Sequence, residues 1–90
     1  MPLFAIICTD KAEALQIRLD TRERHLAYIH DTGVVRQAGP FLNDEGQMCG
    51  SLVIIEVADR AAAESWAAND PYALAGLFAK VRIEGWKKVI

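Results

Sequence analysis

Three side chains set the chemical question in this 90-residue chain: His25, Asp70 and Arg22. Imidazole moves protons near neutral pH, and it works as a directed base when a second group fixes its tautomer. His25 falls on a predicted helix running from Ala12 to about Asp31, on which Leu15, Leu19, Leu26 and Ile29 recur at spacings of 4, 7 and 3 and mark one apolar face. It sits at the margin of that face, a position where a histidine is more often solvated or satisfied than catalytic. Its chemical case needs an orienting carboxylate, and Asp70 is the candidate, standing in Asn69-Asp70-Pro71 after a second helix. Asp70 also reads as the N-cap of a short helix with Pro71 at its first position. Arg22 falls within the apolar stripe at about 100° per residue. An arginine on a core-facing stripe either serves a site, binding an anionic or oxygen-rich group, or pairs with a buried carboxylate, or covers apolar surface with its methylenes and snorkels to the rim.

Other polar groups point to less. His30 is five residues from His25, about 140° around the helix, so the two cannot share a metal from one face. With no HExxH, no cysteine pair and no clustered carboxylates, the pattern calls for no metal, and it contains no cofactor motif. Gly46-Gln47-Met48-Cys49-Gly50-Ser51 has glycines and a serine but lacks the lysine and the strand-to-helix setting of a phosphate loop. Ser51 opens a strand and either offers a hydroxyl to a cleft or is an ordinary strand-edge residue; no G-x-S-x-G makes it a nucleophile. Cys8, in an apolar run, and Cys49, in a glycine-flanked loop, read as reduced thiols, Cys8 as a core hydrophobe. Trp66, Tyr72, Phe78 and Trp86 are core or interface residues by default, and an aromatic beside a His–Asp pair also suits the wall of a site for a small planar ligand.

The elements that must position these groups follow from pattern. Leu3–Cys8 is a strand buried on both faces. Asp10 and Glu13 have the form of a capping box before the first helix, and Gly33 is its left-handed cap. Val34–Phe41 reads as an edge or bulged strand because it contains Gly39-Pro40. Asn43–Gly46 is a turn, and Ser51–Val57 pairs back as a hairpin. Asp59 caps a helix from Arg60 to about Ala68, Tyr72–Phe78 is a short helical segment, and Val81–Trp86 alternates with period two as a half-buried strand. The order β-α-β-β-α-β predicts a ferredoxin-like α+β fold, a four-stranded antiparallel sheet with both helices on one face.

Composition limits the classes of function. Ten basic against twelve acidic residues give a net charge of −2, without the basic footprint of a nucleic-acid or lipid-surface binder. The longest apolar run, Leu3–Cys8, is too short to cross a membrane, and no leader pattern precedes it, so the expected location is the cytoplasm. Hydrophobic residues make up 52% of the chain, which is high for a monomer expected to bury only about 64% of its surface. Because the first and third strands are apolar at consecutive positions, the sheet face that the helices leave open calls for a second copy, packed sheet to sheet.

Arg22-Glu23-Arg24-His25-Leu26-Ala27-Tyr28-Ile29, Ala38-Gly39-Pro40, Gly50-Ser51-Leu52-Val53-Ile54, Ala62 to Trp66, Asn69-Asp70-Pro71-Tyr72 and Ile83-Glu84-Gly85-Trp86, in this order, resemble the YCII-related (YciI-like) family nearly end to end. The resemblance implies one such domain over residues 1–90 and a ferredoxin-like protomer in a dimeric α+β barrel. It further implies an active site around a histidine–aspartate pair on His25 and Asp70, with Gly39, Pro40 and Ser51 lining the cleft. Barrels of this kind carry out isomerisation, dehalogenation-type elimination and oxygenation on small, often aromatic, molecules. The expected function is cofactor-independent acid–base proton transfer on a small organic acid or phenol-like substrate, with Arg22 binding its anionic group. The alternative is a non-catalytic dimeric scaffold or small-ligand-binding module in which the pair is structural.

Overall fold

In the computed structural model, which describes residues 1–90, β1 (Leu3–Asp10) is followed by α1 (Leu15–Thr32), β2 (Val35–Leu42), β3 (Met48–Glu56), α2 (Arg60–Ala68), α3 (Pro71–Leu74) and β4 (Phe78–Trp86). The strands make one antiparallel sheet in the order β2-β3-β1-β4. With its helices this is the expected ferredoxin-like α+β fold. The two most apolar strands hold the centre. Ile6 lies between Val53 and Ile83 in register, and Phe4, Ile6, Cys8, Val53, Ile55 and Val57 pack on Ala63, Trp66 and Ala67 of α2. Strand alternation sends Ala5, Ile7, Leu52 and Ile54 to the opposite face, which no helix covers. β2, with Gly39-Pro40, is an edge strand whose register shifts at both ends. This is where proline's missing N–H is tolerated.

Helix termini follow local chemistry. Asp59 accepts from the Ala62 N–H at 2.8 Å and starts α2, while Gly33 closes α1 in the left-handed conformation, φ 67°. The start of α1 differs from the capping-box reading. The helix begins at Leu15, its N-cap is Ala14 with no side-chain cap, and Glu13 has φ 57°. Asp10 does not cap because its carboxylate is taken by Arg18.

The leucine stripe of α1 is also corrected. Leu19 and Leu26 are 48% and 43% exposed, and the buried positions of the helix are Arg18, Thr21 and His25. Arg22 is therefore exposed rather than core-facing. The helix turns a polar face inward because that face meets a cleft and paired carboxylates, not an apolar wall. Smaller shifts have similar local causes. Met48, Cys49 and Gly50 are strand rather than loop, since β3 pairs as far as Leu42 opposite Met48. The turn after α3 comes at Gly76, φ 77°, so the segment from Tyr72 stops at Leu74 and Phe78 already belongs to β4. Trp86, on the uncovered face, is exposed. No helix is long and apolar enough to cross a membrane.

Candidate functional site

Between α1 and the β2–β3 edge lies a cleft of about 190 Å³. α1 contributes Arg18, Arg22 and His25; β2 contributes Gly39 and Pro40; β3 contributes Met48 and Ser51; Tyr72 enters from α3. The sequence-predicted residues Arg22, His25, Gly39, Pro40 and Ser51 thus share one cavity wall. Asp70 stands behind His25 rather than in the cleft.

The centre of the wall is a buried pair. Asp70 Oδ1 lies 2.8 Å from His25 Nδ1, and both side chains are almost fully enclosed. An ionised carboxylate only accepts, so the ring proton is assigned to Nδ1 and the Nε2 lone pair is left free. No side-chain nitrogen or oxygen is both buried and unpartnered, so Nε2, which has no protein partner, retains access to the cleft that His25 lines. The same Asp70 Oδ1 accepts the Tyr72 backbone N–H at 3.0 Å and caps α3. One oxygen thus makes both the helix cap and the contact with His25.

Tyr72 completes the positioning. Its ring stacks on His25 with centroids 4.0 Å apart and planes 18° from parallel. The Arg18 guanidinium carbon lies 4.8 Å from the same ring centre. His25 already occupies one face, so Arg18 is assigned to the other, consistent with two residues seven apart on one side of a helix. Arg18 is itself buried, donating through Nε and Nη2 to the two Asp10 oxygens at 2.8 Å each and through Nη2 to Ser51 Oγ at 2.9 Å. Burial works against its charge, but the Asp10 carboxylate outweighs that and holds the guanidinium above its ordinary range. Burial pushes the Tyr72 phenol up, with Arg18 and Arg22 pulling partly the other way.

Arg18 and the role of Asp10 were missed from sequence. The available signal was the interval from Arg18 to His25, seven residues or about −20° on a helical wheel, which puts them on one face whatever the leucines do. Arg22 forms no ion pair. No three histidine, cysteine or carboxylate side chains converge as a metal-ligating group.

A family model described as the YCII-related domain matches residues 2–87. Protein YciI of Escherichia coli O6:H1 is 41% identical over 96 residues, covering 97% of this chain and 98% of that protein. An uncharacterized protein of Haemophilus influenzae is 36% identical over 95 residues, 96% of this chain and 97% of its own. Among solved structures, 5-chloro-2-hydroxyhydroquinone dehydrochlorinase from Burkholderia phenoliruptrix AC1100, in complex with 2,5-dihydroxybenzoquinone, superposes with TM-score 0.85 at 36% identity, covering 94% of this chain and 93% of that one. An antibiotic biosynthesis monooxygenase superposes over the whole of both chains with TM-score 0.61 at 16% identity, a likeness of fold alone.

Proposed function

The chain belongs to the YCII-related family, and from that premise we propose that it is a small-molecule enzyme using His25 and Asp70 for acid–base proton transfer. The observation that carries the reading is the 2.8 Å His25–Asp70 contact with Nε2 left free on the cleft side. In this role Nε2 takes a proton from a C–H or O–H of the bound substrate. Asp70 holds the tautomer and stabilises the imidazolium that forms. Returning the proton to a different atom gives isomerisation, whereas departure of an anion from the neighbouring carbon gives elimination. The similarity to a dehydrochlorinase crystallised with a dihydroxybenzoquinone favours elimination on a hydroxylated, quinone-forming ring. Arg22 at the cleft mouth would hold an anionic substituent, with Gly39, Pro40 and Ser51 shaping the cavity. The 1–90 span would act as one domain, in a homodimer formed through the uncovered sheet face.

The test is His25→Gln, which keeps comparable volume and a hydrogen-bonding amide but cannot act as a base. Chloride release is followed by ion-selective electrode on a panel of chlorinated hydroquinones, and ring chemistry by absorbance. The wild type should turn over at least one member, and the variant should lose about 10²–10⁴-fold in kcat with an unchanged circular dichroism spectrum. Equal turnover by wild type and variant would remove the catalytic role and leave the ligand-binding module.

A further inference from the structure

We propose that Arg18 and Ser51 form an oxyanion-binding end of the cleft that holds a ligand's ionised aromatic or enolic hydroxyl, a role distinct from the His25–Asp70 pair. The inference deepens the reading above and rests on it in taking the cleft as the ligand site. It comes from accounting for each donor.

A guanidinium carries five N–H groups. In Arg18 the Nε–H goes to Asp10 Oδ2, and the two on Nη2 go to Asp10 Oδ1 and Ser51 Oγ. The Tyr72 hydroxyl also lies within hydrogen-bonding influence of the guanidinium, so at least one N–H on Nη1 is left without a protein acceptor. Nη1 is not among any buried, unpartnered atoms, because there are none, and Arg18 lines the cleft. Its accessible edge therefore opens there, although the residue as a whole is 2% exposed. Ser51 follows the same logic. Arginine can only donate, so Ser51 Oγ is the acceptor in their 2.9 Å bond and keeps its own proton. That hydroxyl donates to no protein group, and Ser51 also lines the cleft. One wall thus presents at least one guanidinium N–H and the Ser51 O–H with no protein group to receive them.

A purely structural ion pair would not need this arrangement. Asp10 already satisfies the geometry of Arg18, and burying such a pair is rarely better than an apolar replacement. Since Asp10 offsets the Arg18 charge, this end acts through directed donors. Arg22, about one helical turn away and without an ion pair, adds the net positive charge. The dimensions suit a single ring: a cavity of about 150 Å³ takes up benzene, and this cleft measures about 190 Å³. Tyr72, between Arg18 and His25, spaces the oxyanion end from Nε2, so a flat ligand would reach both from opposite edges.

The probe is 4-nitrophenol, yellow when ionised and nearly colourless when neutral, titrated with pH in the presence of the full-length protein. The wild type should lower the ionisation midpoint of the bound probe by about one pH unit, equivalent to a tenfold preference for phenolate. Ser51→Ala, which leaves the Arg18–Asp10 pair in place, should shrink that shift while keeping the thermal midpoint. Arg18→Met combined with Asp10→Leu, which avoids stranding a buried carboxylate, should abolish it. A wild type that binds no probe at millimolar concentration, or binds both forms alike, overturns the proposal; so does a shift unchanged in Ser51→Ala and the double variant. These outcomes are separable from those for His25. A Ser51- and Arg18-dependent shift in a protein whose turnover survives His25→Gln supports the oxyanion end and removes the acid–base reading. Loss of turnover in His25→Gln with no such shift does the reverse.

Discussion

Cys8 shows what the site asks of residues that never touch a ligand. It pairs in register with Ser51, and burial, with the nearby Asp70 carboxylate adding to it, pushes its thiol from an ordinary 9.0 up to about 12. A thiolate there would sit beside two carboxylates, so the neutral thiol is the form the fold accepts. The sign for stability follows from linkage. Below pH 9 both folded and unfolded chains keep the proton, and the contribution is fully present. Between pH 9 and about 12 the unfolded chain ionises first and the contribution is lost. At neutral pH, iodoacetamide should modify half-buried Cys49 and leave Cys8 untouched until denaturant is added, as read by mass spectrometry. Labelling of Cys8 at the rate of Cys49 would contradict its placement.

At the scale of elements, the strands were legible and the first helix was legible only in part. Leu3–Cys8 and Ser51–Val57 are apolar at nearly every position, and only the two central strands of a sheet accept that. The extent of α1 could be read from helix-favouring residues and Gly33, but its orientation could not. Periodicity assigns the inward face to leucines, whereas the inward face here carries Arg18, Thr21 and His25, and the partners of Arg18 and His25 lie outside the helix: Asp10 at the end of β1, Ser51 and Asp70 far along the chain. A hydrophobic pattern carries no information about a carboxylate that folding will supply. The same holds for Gly50, read as a loop glycine. A Cβ there would lie 2.3 Å from the Cys8 carbonyl oxygen, so glycine lets β3 approach β1 just where Ser51 enters the cleft. Gly50→Ala should destabilise by about 1–3 kcal/mol, a fall in Tm of about 4–8 °C per kcal/mol for a domain of this size. An unchanged melt would mean that the two strands can part without consequence.

Over the whole molecule, the exposed surface is 5739 Å², above the about 5,200 Å² expected of a compact monomer of this mass. Part of the excess is apolar: Phe41 and Trp86 on the uncovered sheet side, Leu19 and Leu26 on α1, Val89 and Ile90 at the tail. The surplus of hydrophobic residues is thus less concentrated on the open sheet than the two-faced strands suggest, since Ala5 and Ile54 there are already buried within one chain. Leu3, Ile7 and Leu52 remain half-buried on that face. If a second copy covers it, sedimentation velocity should give a dimer at micromolar concentration, and Leu52→Lys should shift the boundary to monomer. A wild type that sediments as a monomer would leave that face without the assigned role. The cleft also says something about how the molecule comes into being. His25 and Asp70 are 45 positions apart, and Arg18 and Ser51 are 33 apart. Each pair is closed by a different long loop of chain. No single turn or hairpin contains both members of either pair. The cleft therefore needs β1, α1, β3 and α3 assembled together, and the smallest unit that can possess it is the completed fold itself.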